Sequence, residues 1–216
     1  WVDDSRLVIL NAVDAASKGA SLRNYTKVTN ATSSNGLWTI STKNSLNGKV
    51  EIVKAKAFVN ASGPWVDDVL KESFKVKDSK NVRLVRGSHI VVNKLYEGDK
   101  SYICQNKDGR IFFIIPYEDN FTLIGTTDID HGKSADQVKI SEQEKLYICE
   151  SASSYLKQEI TTNDIVWSYS GVRPLYDDGA SKAQEATRDY VVSAKEYDFS
   201  LMINIFGGKI TTYRRL

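Results

Sequence analysis

Ala57-Phe58-Val59-Asn60-Ala61-Ser62-Gly63-Pro64-Trp65 reads as a short buried strand, a turn of small residues and the start of a helix. Proline has no amide hydrogen to lose, and its fixed φ suits the first helical position, so Pro64 is expected to open a helix through Val69 and Leu70. Such a strand-turn-helix start brings backbone N–H groups close to an anion, which suits the phosphate or adenosine side of a dinucleotide. Upstream, residues 7–18 place apolar side chains at helical spacing, with Gly19 as the C-cap. Between that helix and the turn, residues 20–31, 37–42, Val50–Ala55 and Ala57–Asn60 alternate or are β-branched, punctuated by Asn35-Gly36 and Asn47-Gly48 as hairpin turns.

Downstream of Val82 the texture changes. Residues 83–92, 101–105, 110–117 and 121–127 read as four strands with polar turns between them, a spacing that predicts an antiparallel sheet. Residues 141–157 are helix-like, with Ser141 as N-cap and Glu144 completing a capping box. Residues 164–170, 189–194 and 201–206 read as further strands. The expected organisation is a substrate domain over residues 80–180, inserted into a cofactor domain made of residues 1–79 and 181–216. No G-x-G-x-x-G follows an early strand, and the chain has no initiator Met, so it is expected to be an internal piece of a larger protein, inactive alone.

Composition narrows the class. A chain of 216 residues, 41% hydrophobic and 26% charged, has the make-up of a globular protein with a sizeable core. A net charge of +2, with Lys and Arg scattered, gives no reason to expect nucleic acid. Cys104 and Cys149 lack metal-ligand spacing, so no metal site is expected and reduced thiols are the simplest reading. No apolar run approaches the roughly 20 residues that span a bilayer.

Three cationic motifs crowd the last fifty residues. They are Ser170-Gly171-Val172-Arg173-Pro174-Leu175, Thr187-Arg188-Asp189-Tyr190 and Phe206-Gly207-Gly208-Lys209-Ile210-Thr211-Thr212-Tyr213-Arg214. A guanidinium fork gives a phosphate or carboxylate two parallel charge-assisted bonds. A glycine pair before a helix start lets backbone N–H groups approach a cofactor. Together the motifs point to redox chemistry on a small phosphorylated or carboxylated molecule.

These segments resemble those of FAD-dependent glycerol-3-phosphate dehydrogenases, within the D-amino-acid-oxidase-like flavoprotein superfamily. Trp1-Val2-Asp3-Asp4-Ser5-Arg6-Leu7, Val59–Trp65, Arg86-Gly87-Ser88-His89-Ile90-Val91-Val92 and Ile124-Gly125-Thr126-Thr127-Asp128 add to the likeness in the family's order. The resemblance implies an α/β and α+β protein: part of a Rossmann-like FAD-binding domain with an inserted, mainly antiparallel-sheet substrate domain. It implies oxidation of sn-glycerol 3-phosphate to dihydroxyacetone phosphate, with electrons passing from FAD to a quinone. It further implies a cytoplasmic protein held peripherally on the inner face of the cytoplasmic membrane. A hydroxy- or amino-acid oxidase of the same superfamily and a catalytically silent phosphometabolite-binding module are the alternatives. A sheet edge left open in the cofactor domain would invite self-association, so a homodimer is also an expectation.

The resemblance also assigns roles. Arg173 is expected to grip the substrate anion; Arg188 either joins it or pairs with Asp189 or another carboxylate. Lys209 is expected near the flavin or the reacting oxygen, where developing negative charge favours a fixed cation. A solvated lysine at a helix start is the competing reading, one the helix dipole disfavours. Ala61, Gly63, Trp65, Gly207, Gly208, Lys209, Thr211 and Thr212 are the expected FAD contacts, although either threonine also serves as a plain helix cap. His89, near the start of its strand, is a candidate general base or a structural hydrogen bonder. His131 is expected in solvent, Trp167 and Tyr169 in the core or a pocket wall, and the Gly125–Asp128 tip in a tight turn that borders the site at most.

Overall fold

The computed structural model describes residues 2–179 and 187–216. Trp1 and the expected domain boundary at 180/181 fall outside them. The chain divides into two compact units: one runs up to Val82 and takes in Pro174–Asp178 and Thr187–Leu216, and the other is built from Arg83–Arg173.

The first unit opens with α1, Asp4–Ser17, capped where the Asp3 carboxylate accepts from the Arg6 amide at 2.9 Å. Three antiparallel strands follow, β1 (Thr26–Ser34), β2 (Leu37–Asn44) and β3 (Val50–Ala55), in the order β1-β2-β3. The β1–β2 turn is Asn35-Gly36 with both residues at positive φ, the twist a two-residue hairpin needs. Residues 20–25 are not strand, because β2 ends at Asn44 and pairs no further than Thr26. After β4 (Ala57–Asn60), Pro64 sits in a 3-10 turn, Gly63–Trp65, that leads into α2, Val66–Phe74.

The second unit is a six-stranded sheet. Its strands are β5 (Val82–Asn93), β6 (Tyr102–Gln105), β7 (Ile111–Tyr117), β8 (Phe121–Gly125), β9 (Ile129–Asp130) and β10 (Ile165–Tyr176). The order is β10-β5-β8-β7-β6, with β9 also paired to β5. Side chains alternate between faces along each strand. Ile90 and Val92 of β5, Ile124 of β8 and Phe112 and Ile114 of β7 form one core with Ile148, Cys149 and Ala152 of α3 (Glu142–Ser153). Both cysteine thiols are buried in that core and unpaired, with burial pushing each up from its ordinary range.

Four boundaries differ from expectation here. Strand β5 starts at Val82, so His89 lies well inside it; β8 stops at Gly125; and β10 continues through the Gly-Val-Arg-Pro motif to Tyr176. The helix ends at Ser153 rather than 157, where the Ser153 hydroxyl donates to Cys149 O and accepts the Ile160 amide at 2.8 Å, turning the chain back.

The chain then completes the first unit with β11 (Tyr190–Tyr197) and β12 (Ser200–Gly207), in a sheet of order β11-β12-β4. The β12–β4 pair is parallel, with Met202 opposite Phe58 and Asn204 opposite Asn60. The expected helix after Gly208 is a 3-10 run, Ile210–Arg215. Trp38, 2% exposed, centres this unit's core with Ala31, Ile40, Leu70 and Met202. Its ring meets Phe58 and Phe74 edge-on, and its Nε1 donates to Leu201 O at 2.9 Å. Replacing so large a buried ring forfeits burial and opens a cavity, so Trp38→Ala is expected to cost about 3–5 kcal/mol, read from the shift of the urea midpoint.

Candidate active site

The face of the second unit's sheet opposite α3 carries the chemistry-bearing side chains. Residues 87, 89 and 91 of β5 point there by alternation, since 88, 90 and 92 face α3. A row crosses that face from His89 through Gly125 and Phe113 to Ile103, each opposite the next in register. Strand β10 adds Trp167, Tyr169 and Arg173 at spacings of two and four. The His89 ring lies flat on Tyr169, centroids 4.9 Å apart and planes 9° from parallel, and Trp167 continues the stack at 5.2 Å. Trp167 is 53% exposed, so of its two expected places, core or pocket wall, the core is excluded.

The opposite face anchors these strands on one carboxylate. Glu144 of α3 is 2% exposed and accepts from Ser88 Oγ at 2.8 Å, Thr127 Oγ1 at 2.8 Å, and the Ser141 amide and hydroxyl at 2.9 and 2.8 Å. Arg86 Nη2 closes the set at 2.8 Å. Burial pushes the carboxyl up, but the bonds from Ser141, Ser88 and Thr127 outweigh it, and the group sits below its ordinary range. Ser88 Oγ also shares a hydrogen bond with Ser170 Oγ of β10 at 2.8 Å, and its amide donates to Thr127 Oγ1 at 3.0 Å. The strands carrying His89 and Arg173, and the loop after β8, are thus tied to one buried anion.

Arg173 is held rather than mobile. Its Nη1 donates to Asp128 Oδ1 at 2.9 Å and Thr127 O at 3.3 Å, and Nη2 donates to Thr126 Oγ1 at 3.1 Å. Asp128 therefore orients the guanidinium. About a third of the Arg173 side chain is exposed.

His89 is neutral across the physiological range. Burial first, and the Arg173 cation second, pull its pKa down from 6.5 to about 4. Its Nδ1 is buried with no hydrogen-bond partner among the described residues. His131, by contrast, meets Ser134 O through Nε2 at 3.0 Å in an exposed loop.

In the first unit, the parallel strands β4 and β12 deliver two motif turns to the same sheet edge, because Asn60 and Asn204 are register partners. The carboxyl edge of parallel strands is where open α/β sheets receive ligands. Asn60 Nδ2 donates to Val66 O and to Asn204 Oδ1, at 3.0 and 3.1 Å, and its Oδ1 accepts from Ser62 Oγ at 2.6 Å, fixing the first turn. Gly63 at φ +55° begins the 3-10 turn; Ala61 and Trp65 are exposed beside it. Gly207 and Gly208, at φ +66° and +79°, make the second turn. A Cβ at Gly207 would lie 2.9 Å from Asp189 O, and one at Gly208 would overlap the Tyr190 ring, so internal packing also demands these glycines. Lys209 is exposed, with its carbonyl bonded by Tyr190 Oη and by Thr212 Oγ1. The Thr212 hydroxyl is thereby spent as a donor, while Thr211 is exposed. The run after Lys209 is a six-residue 3-10 segment, so the helix-dipole argument attached to that lysine does not apply. Arg188 is exposed just before β11, in the first unit, so Arg173 and Arg188 belong to different units.

A model of the DAO family, described as FAD dependent oxidoreductase, matches residues 1–214. The chain belongs to this family. It is 46% identical over 216 residues to D-erythritol 1-phosphate dehydrogenase of Brucella abortus (strain 2308), covering 100% of this chain and 43% of that protein. It is 44% identical to a glycerol-3-phosphate dehydrogenase of Pseudomonas aeruginosa, covering 100% of this chain and 42% of the relative. The crystal structure of glycerol-3-phosphate dehydrogenase from Bacillus halodurans, complexed with FAD, superposes with a TM-score of 0.78 at 30% identity, over 99% of this chain and 41% of that one. The chain therefore spans less than half the length of these relatives.

For this flavoprotein-family chain, sequence reasoning named Arg173 and His89 without their support. Glu144 was visible only as a capping-box residue; its neighbours Ser88 and Thr127 lie far off in sequence. Asp128 carried a signal, an acid after two threonines at a strand tip, that an arginine partner would have explained. Among the described residues no group of three or more His, Cys, Asp or Glu is placed to hold a metal, and no helix is long and apolar enough to cross a membrane.

The depressed pKa of His89 has a stability consequence with a definite sign. Between pH 6.5 and about 4 the unfolded chain binds a proton there that the folded chain refuses, so stability falls as pH drops through that window. His89→Asn is expected to flatten that part of the stability–pH curve, as measured by urea unfolding at half-unit pH steps.

Proposed function

We propose that the protein oxidises the secondary alcohol of sn-glycerol 3-phosphate to dihydroxyacetone phosphate, with FAD as its cofactor. One observation carries the reading: a neutral imidazole and a pre-oriented guanidinium share one open sheet face. Arg173 binds the substrate phosphate by charge-assisted bonds, with its fork angle set by Asp128 and Thr126. His89, uncharged at working pH, accepts the C2 hydroxyl proton at an imidazole nitrogen. A phosphate dianion on Arg173 offsets the cation that depresses His89, so substrate binding itself raises the basicity of the imidazole.

The two turns at the β4–β12 edge suit FAD. Their fit rests on left-handed glycines that keep side chains off the turn, exposed small residues, and the cation of Lys209, which makes no ion pair among the described residues. Ala61, Gly63, Trp65, Gly207, Gly208 and Thr211 would hold the cofactor, with Thr212 contributing an acceptor oxygen and Lys209 a positive charge. When bound, FAD supplies the two-electron acceptor for the carbinol C–H bond. Lys209 stabilises negative charge that develops during transfer, and Arg188 serves as an auxiliary anion contact. A quinone acceptor, attachment to the inner face of the cytoplasmic membrane, and a homodimer belong to the same reading. The first two are supported by the motif resemblance. The third is supported by β4 and β11, each with one edge unpaired among the described residues.

The similarity to a D-erythritol 1-phosphate dehydrogenase favours a second substrate of the same chemistry, a four-carbon polyol phosphate. Anaerobic bleaching of flavin absorbance separates the two. The holoenzyme is expected to bleach with glycerol 3-phosphate at a higher kcat/KM than with D-erythritol 1-phosphate. Arg173→Ala is expected to raise KM by about 10–100-fold, the worth of one to two charge-assisted bonds, and His89→Asn to lower kcat by about 100-fold or more. A holoenzyme that stays oxidised with both substrates would overturn the assignment, and one faster with the four-carbon compound would reassign the substrate.

A further inference from the structure

Two glycines on the open face are not required there by a left-handed φ. Gly87 and Gly125 both lack the positive φ that marks Gly63, Gly207 and Gly208, so φ alone does not demand glycine at either position. What a side chain would meet differs at the two positions. At Gly87 a Cβ would come 2.5 Å from Arg173 Nη1, 2.6 Å from Nη2 and 2.7 Å from Thr126 Oγ1. At Gly125 it would overlap His89 Cδ2 and lie 2.8 Å from His89 Cγ and 2.9 Å from Ser88 O. Gly87 and His89 are two residues apart on one face of β5, and Gly125 is the register partner of His89.

We infer that Gly87 and Gly125 are positioning residues, each keeping vacant the space in which one acting side chain rests. Gly87 lets the Arg173 guanidinium lie flat across β5, where Asp128 and Thr126 catch its two nitrogens. Gly125 lets the His89 ring lie down across β8 and stack against Tyr169 instead of standing off the sheet. The two glycines thereby act on different kinetic quantities: the first on anion affinity, the second on proton transfer. This inference rests on the reading of Arg173 as the anion clamp and His89 as the base.

The experiment is steady-state kinetics of the holoenzyme with glycerol 3-phosphate for Gly87→Ala and Gly125→Ala, beside Arg173→Ala and His89→Ala. At Gly87 the three nearest atoms all belong to side chains, two of them to the end of Arg173, so Gly87→Ala is expected to fold with little change in Tm. Its KM is expected to rise about tenfold or more through a displaced charge-assisted bond, with kcat within about twofold. On an Arg173→Ala background the same alanine is expected to leave KM unchanged, because the group it displaces has gone. Gly125→Ala is expected to show the converse, kcat down about tenfold or more with KM within about twofold. If Gly125→Ala does not accumulate as folded protein, the His89→Ala/Gly125→Ala pair is made. Recovery of the folded state supports the assignment, and failure to recover overturns it, leaving Ser88 O as the obstacle. Equal effects on KM and kcat in both alanine variants, or a full KM penalty for Gly87→Ala without Arg173, would overturn the inference. A normal KM in Arg173→Ala alone would instead discredit the anion clamp, so the two failures are told apart.

Discussion

Burying the Glu144 carboxylate is the constraint on which the second unit's geometry turns. An ionised carboxylate taken out of water costs several kcal/mol unless every lone pair finds a donor. Here the donors come from α3's own N-cap (Ser141), from β5 (Arg86, Ser88) and from the loop after β8 (Thr127). Ser88 passes the connection to Ser170 of β10. None of these groups can shift without leaving part of the carboxylate unsatisfied, so helix, strands and loop are locked in register. The guanidinium and imidazole on the far face inherit that registration.

The sheet separates structural from chemical work by its pleat. Even-numbered residues of β5 satisfy the core and Glu144, while Gly87 and His89 meet Arg173 and Tyr169. Thr127 belongs to both networks, donating its hydroxyl to Glu144 while its carbonyl accepts from Arg173. A comparable economy governs the first unit, where the buried Asp67 carboxylate gathers Ser79, Asn81 and the Val82 amide at the point where the chain enters β5. Burial raises that group, yet the bonds from Ser79, Asn81 and Val82 hold it below its ordinary range. Buried acids thus fix the frame of each unit.

Local chemistry was legible in the sequence wherever local chemistry decides the outcome. The Asn35-Gly36 hairpin, the Ser141–Glu144 capping box and the antiparallel run after Val82 all follow from short-range rules, and the structure has them. Where partner strands or packing decide, sequence misled. Residues 20–25 alternate like a strand but have no neighbour to pair with, and Gly-Gly-Lys leads into a short 3-10 run. Arg173 and His89 were visible as residue types in a recognisable order. Asp128, Gly87 and Gly125 stood in the same motifs and Glu144 in a capping box, but their contacts were not visible, because each acts through a partner dozens of residues away.

A neutral His89 and the Arg173 guanidinium are electrostatically coupled across one sheet face. Nitrogen-15 NMR of imidazole-labelled holoenzyme, assigned by comparison with His89→Asn, reads the His89 pKa directly with and without saturating phosphate ligand. In the free protein the value is expected well below the ordinary 6.5, near 4, and to rise when the anion occupies Arg173. A pKa near 6.5 in the free protein, unmoved by the anion, would contradict it.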